Sequence, residues 1–577
     1  MSSDQGESAE YEATRDKMSQ FWREHSSKAS LEEMMLDDNA KELSKDELPE
    51  ILSLLPGIEG KTILELGAGI GRYTAPLAQQ AKHVTAVDFM ESFIRKNEEV
   101  NGHHKNVRFM QADVTKLEMP PKSFDIVFSN WLMMYLSDAE VQALAEKVLT
   151  WLKDDGIFFF RESCFHRSGN RKRSFNPTNY RKPSDYDSLI QSAGIPIPGE
   201  NGGVMHFGFE IQLAKSVETY IKAKKNVNQF CWVIKKRRLQ GMAHNGYKTF
   251  QQFLDAQQYT RNGILRYEKI FGYGYVSTGG PETTEEFVAR LDLQPDQHVL
   301  DVGCGIGGGD FYMAKKFGAV VTAMDLSTNM IEIATERASQ ENITKVRFEI
   351  SDCTKREYPA ETFDVVYSRD TILHIQDKLP LFKRFLTWLK PGGKLLISDY
   401  CCGDKEWSDV FKQYVAQRGY TLYSPAKYGK LLEEAGFINV QAEDRTQQFT
   451  DILNREVART EANKEEFIKE FSEEDFRYIV EGWKAKLHRC ELGDQKWGLF
   501  YAEKANSEKD YERASREWRV KSVQITSWPS HHGRECSRIE SVIPFNFSGV
   551  LSARASRAAV ARVSRPLRPR KAARRAD

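Results

Sequence analysis

The sequence predicts an α/β protein made of two doubly wound domains in tandem, each a mostly parallel sheet flanked by helices. Its first support is an internal repeat. The stretch VLDVGCGIGGGDFYMAKKFGAVVTAMDLS, from Val299 to Ser327, has a near copy, ILELGAGIGRYTAPLAQQAKHVTAVDFM, from Ile63 to Met90. Glu65 aligns with Asp301 at an offset of 236, and Asp88 with Asp325 at 237. The match continues through Asp113 and Asp352, FDIVFSN from Phe124 and FDVVYSR from Phe363, and WLKDDGIFFF from Trp151 and WLKPGGKLLI from Trp388. A period this long marks duplicated domains rather than a solenoid. The second support is the alternation of short apolar strands with helical patterns, which implies a sheet covered by helices on both faces. The third is length: 577 residues are too many for one core.

Residues 1–20 form a polar N-terminal segment, and the pattern from about Asp16 to Glu59 is helical. The first domain is expected over 21–235, with strands in KTILELG, HVTAVDF, VRFMQAD, FDIVFSN and GIFFFRES. Charge and glycine displace the apolar pattern around IKKRRLQGMAHNGYK, giving a linker over 236–248. The second domain, over 249–506, opens with a tyrosine-rich helical stretch suited to a lid. It continues with strands in HVLDVG, VVTAMDL, VRFEISD, FDVVYSRD and KLLISDY. From 507 to 577 the chain becomes a basic tail with almost no acid at its end, a composition unable to build a core and expected to be disordered.

Lysine plus arginine number 82, and aspartate plus glutamate also number 82. This balance gives the whole chain no attraction for nucleic acid or an anionic membrane surface. The eight cysteines show no C-x-x-C pair and no metal-ligand spacing, so neither a disulfide nor a metal is expected. The start lacks the apolar core of a secretory signal, and no apolar run is long enough for a membrane span. A cytoplasmic monomer is the expectation.

Gly67, Gly69 and Gly71, like Gly303, Gly305 and Gly307, follow a strand and open a helix, where glycine lets a ligand approach the backbone. The pattern alone also suits a dinucleotide. Three acids favour a different ligand. Glu65 and Asp301, at the strand ends, suit an ammonium better than a pyrophosphate. Asp88 and Asp325 can accept from both hydroxyls of a ribose. Asp113 and Asp352 are placed to read an adenine amino group. An adenosine that carries an ammonium is S-adenosylmethionine, and the order of these residues resembles the class I, Rossmann-like methyltransferases in both halves.

Further motifs narrow the resemblance. VSTGG, DVGCGIGGGDFYMA, SRDTILHIQDK, WLKPGGKLLISDYC, QYVAQRGYTL and EDRTQQF lie in the second half, and LELGAGIGRYT, FSNWLMMYLSD and FRESCFHRSGNRKRSFNPTNYR in the first. Together they resemble the phosphoethanolamine N-methyltransferases in their tandem, plant-type form, over about Phe21 to Lys504. The resemblance implies three methyl transfers from S-adenosylmethionine, which leaves as S-adenosylhomocysteine. Phosphoethanolamine would become phosphocholine, a precursor of phosphatidylcholine, with the first domain making the first transfer and the second the later two. The partners implied are small phosphobases. An alternative from another class makes one half a catalytically silent S-adenosylmethionine sensor.

The resemblance also distributes roles. In the second domain Tyr259 and His374 form the catalytic pair, and His374 is chemically able to take the proton of the amine. Cofactor positions there are Val276, Ser277, Gly303, Asp325, Asp352, Cys353 and Arg369. The phosphobase positions are Gln258, Tyr259, Tyr267, Tyr400, Tyr414, Arg418, Tyr420 and Lys486. In the first domain the cofactor set is Gly67, Arg72, Asp88, Asp113, Val114 and Asn130. Its phosphobase set is Ser163, Ser168, Gly169, Arg173 and Tyr180. Arginine and lysine suit a phosphate, and tyrosine faces suit a methylated cation. Aligning FSNWLMMY with YSRDTILH puts Tyr135 opposite His374 and Asn130 opposite Arg369, so the first domain lacks the histidine and its base is unassigned.

Overall fold

The computed structural model describes residues 16–173, 175, 177–198, 204–239, 247–510 and 512–513. The first half holds β1 (Thr62–Leu66), β2 (His83–Asp88), β3 (Val107–Gln111), β4 (Phe124–Asn130), β5 (Leu152–Ser163), β6 (Ile195–Pro198), β7 (Val204–Ser216) and β8 (Gln229–Leu239). The second holds β9 (His298–Val302), β10 (Val320–Asp325), β11 (Val346–Ile350), β12 (Phe363–Arg369), β13 (Leu389–Cys402), β14 (Ile438–Asp444) and β15 (Gln495–Glu503). Each half orders its strands alike: β3-β2-β1-β4-β5-β8-β7 and β11-β10-β9-β12-β13-β15-β14. The first five strands of each half are parallel, and β8 and β15 return antiparallel along β5 and β13.

The central strands are apolar because helices cover both faces. Ile63, Leu64, Val84, Val127, Val299, Leu300, Val321 and Val366 are fully buried. Reversal of strand order beside β1 and β9 opens a crevice at their carboxyl ends, where ligands of such sheets bind. The glycine loops lie there.

The two halves share one sheet. β7 pairs antiparallel with β11, Glu349 opposite Lys215 and Ile350 opposite Ala214. Ion pairs flank the seam, from Arg347 to Glu218 and from Lys355 to Glu210.

Three expected boundaries move. A helix covers 16–25, with Met18 buried against Met134 and Tyr135, so the first domain begins before residue 21. β8 runs on to Leu239 because Lys236 buries its stem and donates to the Leu152 carbonyl at 2.8 Å, which shortens the linker at its start. Residues 508–510 are helical, and Ser507 accepts from the Asp510 backbone, so the tail does not open as coil. The rest of the tail, from 514 to 577, lies outside the described residues. No described helix is long and apolar enough to cross a membrane.

Candidate active sites

Each glycine loop is closed by the acid at the end of the next strand. Asp88 accepts from the amides of Gly69 and Met90, both at 2.8 Å. Asp325 accepts from Gly305 at 3.0 Å and Ser327 at 2.8 Å. Gly303 has φ +83°, and a Cβ there would run into Thr371; a Cβ on Gly305 would stand 2.7 Å from Val276. The loops therefore leave room only a glycine can leave. Burial pushes Asp88 and Asp325 up to about 6, and the backbone amides hold them from rising further. Each carboxylate keeps lone pairs beyond those two bonds, which fits the acceptor role expected toward a ribose.

The first cavity encloses about 130 Å³. Gly67, Asp88, Asp113, Val114 and Asn130 line it together with Ser163, Ser168, Gly169, Arg173 and Tyr180. Met18 and Trp22 from the leading helix, Met34 to Leu36, Trp131 and Tyr135 also belong to the wall. Tyr135 packs edge-on against Trp22 at 5.4 Å, and burial pushes its phenol well up, so it stays neutral. Glu162 positions this segment by accepting from the amides of Leu132, Met133 and Met134. Among the described residues no histidine lines this cavity.

Arg72 is the one expected first-site residue that the structure takes elsewhere. Its guanidinium pairs with buried Glu47 at 2.5 Å and lies over the rings of Tyr73 and Trp131, and Arg72 itself does not line the cavity. Glu65 is also turned inward: it accepts from Thr74 at 2.6 Å, and burial pushes it up to about 8. Arg72 thereby ties the helix Ala40–Ser53 to the glycine loop, and Glu65 ties β1 to the helix Thr74–Gln80.

The second cavity is larger, about 630 Å³. Val276, Ser277, Gly303, Asp325, Asp352, Cys353 and Arg369 line it. So do Gln258, Tyr259, Tyr267, His374, Tyr400, Tyr414, Arg418, Tyr420 and Lys486, and here Asp301 also faces the cavity. The Tyr259 hydroxyl lies 3.3 Å from His374 Nε2. Burial, with Lys378 and Arg418 nearby, holds His374 down at about 4, so the ring is neutral and shares a hydrogen bond with the tyrosine hydroxyl. Tyr420 stands edge-on to the imidazole at 5.1 Å and to Tyr414 at 5.8 Å. Lys486 reaches the Tyr400 hydroxyl at 3.4 Å and sits 4.0 Å over the Trp483 ring.

The lid is latched from below. Asp255 accepts from Ser327 Oγ at 2.5 Å and the Thr328 amide at 3.2 Å, and Asn329 donates to the Tyr259 carbonyl at 2.9 Å. Sequence reasoning missed Asp255, and also Asp370, which lines the cavity and accepts from the Thr278 amide at 3.2 Å. Asp370 stands in the motif SRDTILH, directly after Arg369.

Arg369 is fully engaged by protein: it donates to Ser398, Thr283, Thr284 and the Thr278 carbonyl. In the first half the guanidinium comes instead from the neighbouring strand, where Arg161 donates to Asn130 at 3.1 Å. Arg161 aligns with Ser398 and Asn130 with Arg369, so the repeats exchange donor and acceptor across one strand pair.

Methyltransferase domain families match residues 63–156 and residues 293–436. Phosphoethanolamine N-methyltransferase 1 of Arabidopsis thaliana is 53% identical over 86% of this chain and 99% of its own length. This chain belongs to the phosphoethanolamine N-methyltransferases. Solved members of the family share its architecture. Phosphoethanolamine N-methyltransferase 2 of Haemonchus contortus, bound to phosphomonomethylethanolamine and S-adenosylhomocysteine, matches with a TM-score of 0.64 and 26% identity, over 80% of this chain and 99% of that one. Phosphoethanolamine N-methyltransferase 1 of the same organism, bound to phosphoethanolamine and S-adenosylhomocysteine, matches with a TM-score of 0.62 and 26% identity, over 85% and 98%. As a phosphoethanolamine N-methyltransferase, the chain is an S-adenosylmethionine-dependent enzyme with two methyltransferase domains.

Proposed function

We propose that the chain methylates phosphoethanolamine three times to phosphocholine, supplying phosphatidylcholine synthesis, with the first domain adding one methyl and the second the later two. The observation that carries this division is the exchange of Tyr135 for His374 at equivalent places in two differently built cavities. S-adenosylmethionine, when bound, supplies an electrophilic methyl group on a sulfonium. Asp88 and Asp325 would hold its ribose, and Asp113 and Asp352, which line the cavities, would read its adenine.

An alkylammonium with a pKa near ~10.4 costs about 4 to 5 kcal/mol to deprotonate at pH 7. In the second site the neutral His374 ring can accept that proton, and Tyr259 orients it. A phosphate dianion beside Arg418 offsets one of the cations that hold the imidazole down, so substrate itself makes the base stronger. Tyr400, Tyr414 and Tyr420 offer ring faces to an increasingly methylated cation, while Arg418 and Lys486 receive the phosphate. The smaller first cavity, with Arg173 for the phosphate and fewer tyrosines, suits a primary amine.

Product counting by mass spectrometry on the full-length chain tests the division, with Asp88→Ala or Asp325→Ala silencing one site at a time. The Asp325→Ala chain is expected to stop at phosphomonomethylethanolamine. The Asp88→Ala chain should ignore phosphoethanolamine yet carry the monomethyl and dimethyl acceptors to phosphocholine. Phosphocholine made by the Asp325→Ala chain would overturn the division. Full turnover of all three acceptors by one variant would make the silenced half a sensor.

A further inference from the structure

We infer that Glu332 is a positioning residue shared by both active sites: one carboxylate, carried by the second domain, fixes the phosphobase loop of the first and the lid of the second. This rests on the reading that each domain methylates its own phosphobases.

Glu332 lies on the helix Thr328–Gln340 and is only 3% exposed. Its Oε1 takes Arg261 at 3.1 Å and Lys182 at 3.3 Å. Its Oε2 takes the Ser184 hydroxyl and, at 3.3 Å, the Ser184 amide. One turn on, Glu336 receives Lys182 at 3.1 Å and Arg261 at 2.6 Å, closing an alternating ring of two carboxylates and two cations.

Both cations stand next to chemistry. Lys182 follows Tyr180, which lines the first cavity, and Arg181, which donates to the carbonyls of Met133 and Leu136 around Tyr135. Arg261 opens the helix Arg261–Phe271, which carries Tyr267 to the second cavity and begins two residues after Tyr259. The same helix start that bears Glu332 is tied to the first domain a second time. Thr328 donates to Asp187 at 2.5 Å, and Trp232 donates to the same carboxyl at 2.8 Å. Lys182 and Arg261 are half-exposed and touch neither cavity, so their anchoring is not needed for the core to form. A neutral amide at 332 would keep the shape but leave two cations facing one carboxylate. The loop and the lid then share only Glu336, and more of their ordering must come from substrate binding.

The test is steady-state kinetics on full-length Glu332→Gln, with phosphoethanolamine reporting the first site and phosphodimethylethanolamine the second. KM should rise about fivefold for both acceptors, the low end of measured coupling, with kcat and melting temperature little changed. Lys182→Gln should raise KM for phosphoethanolamine alone, and Arg261→Gln for phosphodimethylethanolamine alone. Adding Lys182→Gln to Glu332→Gln should cost the first site nothing more. A Glu332→Gln chain that keeps its phosphoethanolamine KM, or loses kcat and melting temperature together, overturns the inference. Should that variant not fold, the two half-exposed substitutions decide alone, and an absent KM split in them has the same force. If Asp325→Ala still turns over phosphodimethylethanolamine, the domain assignment has failed rather than the role of Glu332.

Discussion

The indoles of Trp131 and Trp497 stand at opposite ends of equivalent hydrogen bonds. Trp131 Nε1 donates to Gln229 at 3.0 Å in the first domain, and Trp497 Nε1 donates to Asp370 at 2.9 Å in the second. Trp131 aligns with Asp370, and the pairing of β5 with β8 and β13 with β15 puts Gln229 where Trp497 stands. Trp131 and Asp370 both hold left-handed backbone, φ 53° and 50°, at the mouth of their cavity, and the cross-strand bond secures that strained turn. Trp497→Phe is therefore expected to lower second-site kcat/KM about tenfold, as for a lost bond to a charged group, with the first site unaffected. Parallel rate measurements on phosphoethanolamine and phosphodimethylethanolamine check this.

His374→Ala should reduce kcat for the monomethyl and dimethyl acceptors by about 10² to 10⁴, the usual worth of a general base. Cofactor affinity should stay near normal, because Asp325 and Asp352 are untouched. Single-turnover rates beside calorimetric titration of S-adenosylhomocysteine separate the two effects.

Arg173→Ala removes a guanidinium from the first cavity. The KM for phosphoethanolamine is expected to rise about tenfold or more, as for a charge-assisted bond to phosphate, with phosphodimethylethanolamine kinetics unchanged. An unaltered KM would remove Arg173 from the phosphobase site.

Lys486 titrates within reach of a kinetic experiment. Burial pushes its ammonium down to about 8, with Arg489 and Arg418 pushing the same way and Glu456 opposing. The sign follows: the cation is present below about pH 8 and lost above it. Second-site kcat/KM for phosphodimethylethanolamine should accordingly fall as pH rises through about 8, the free enzyme being the species it reports. Lys486→Arg should flatten that limb, since a guanidinium stays charged throughout.

What the sequence disclosed follows from local chemistry. Strands β1 to β5 and β9 to β13 are apolar runs between glycine turns, and a glycine loop followed by an acid is legible residue by residue. Strands β7 and β8 were not, because Glu210, Lys215, Lys235 and Lys236 break the apolar run while pairing across the sheet. The cavity linings were largely reachable through the family motifs. Arg72 was not, since its partner Glu47 belongs to a helix before the repeat begins. Nor could Asp255 or Glu332 be singled out, because each acts across elements that only folding brings together.

The seam between the halves has a consequence for synthesis. The chain completes β7 at Ser216, but its partner strand β11 does not begin until Val346. At translation speeds of about 5 to 20 residues per second, the first domain must wait roughly 6 to 26 seconds with the Ala214–Lys215 end of that edge unpaired, β6 covering only its start. Lys215, which later faces Glu349, sits on the waiting edge as a charge that discourages a neighbouring nascent chain from adding its own strand. A slow stretch of message between those positions would lengthen the exposure. Yield on crowded ribosomes is thus tied to the pace of the ribosome across the second domain's opening strands.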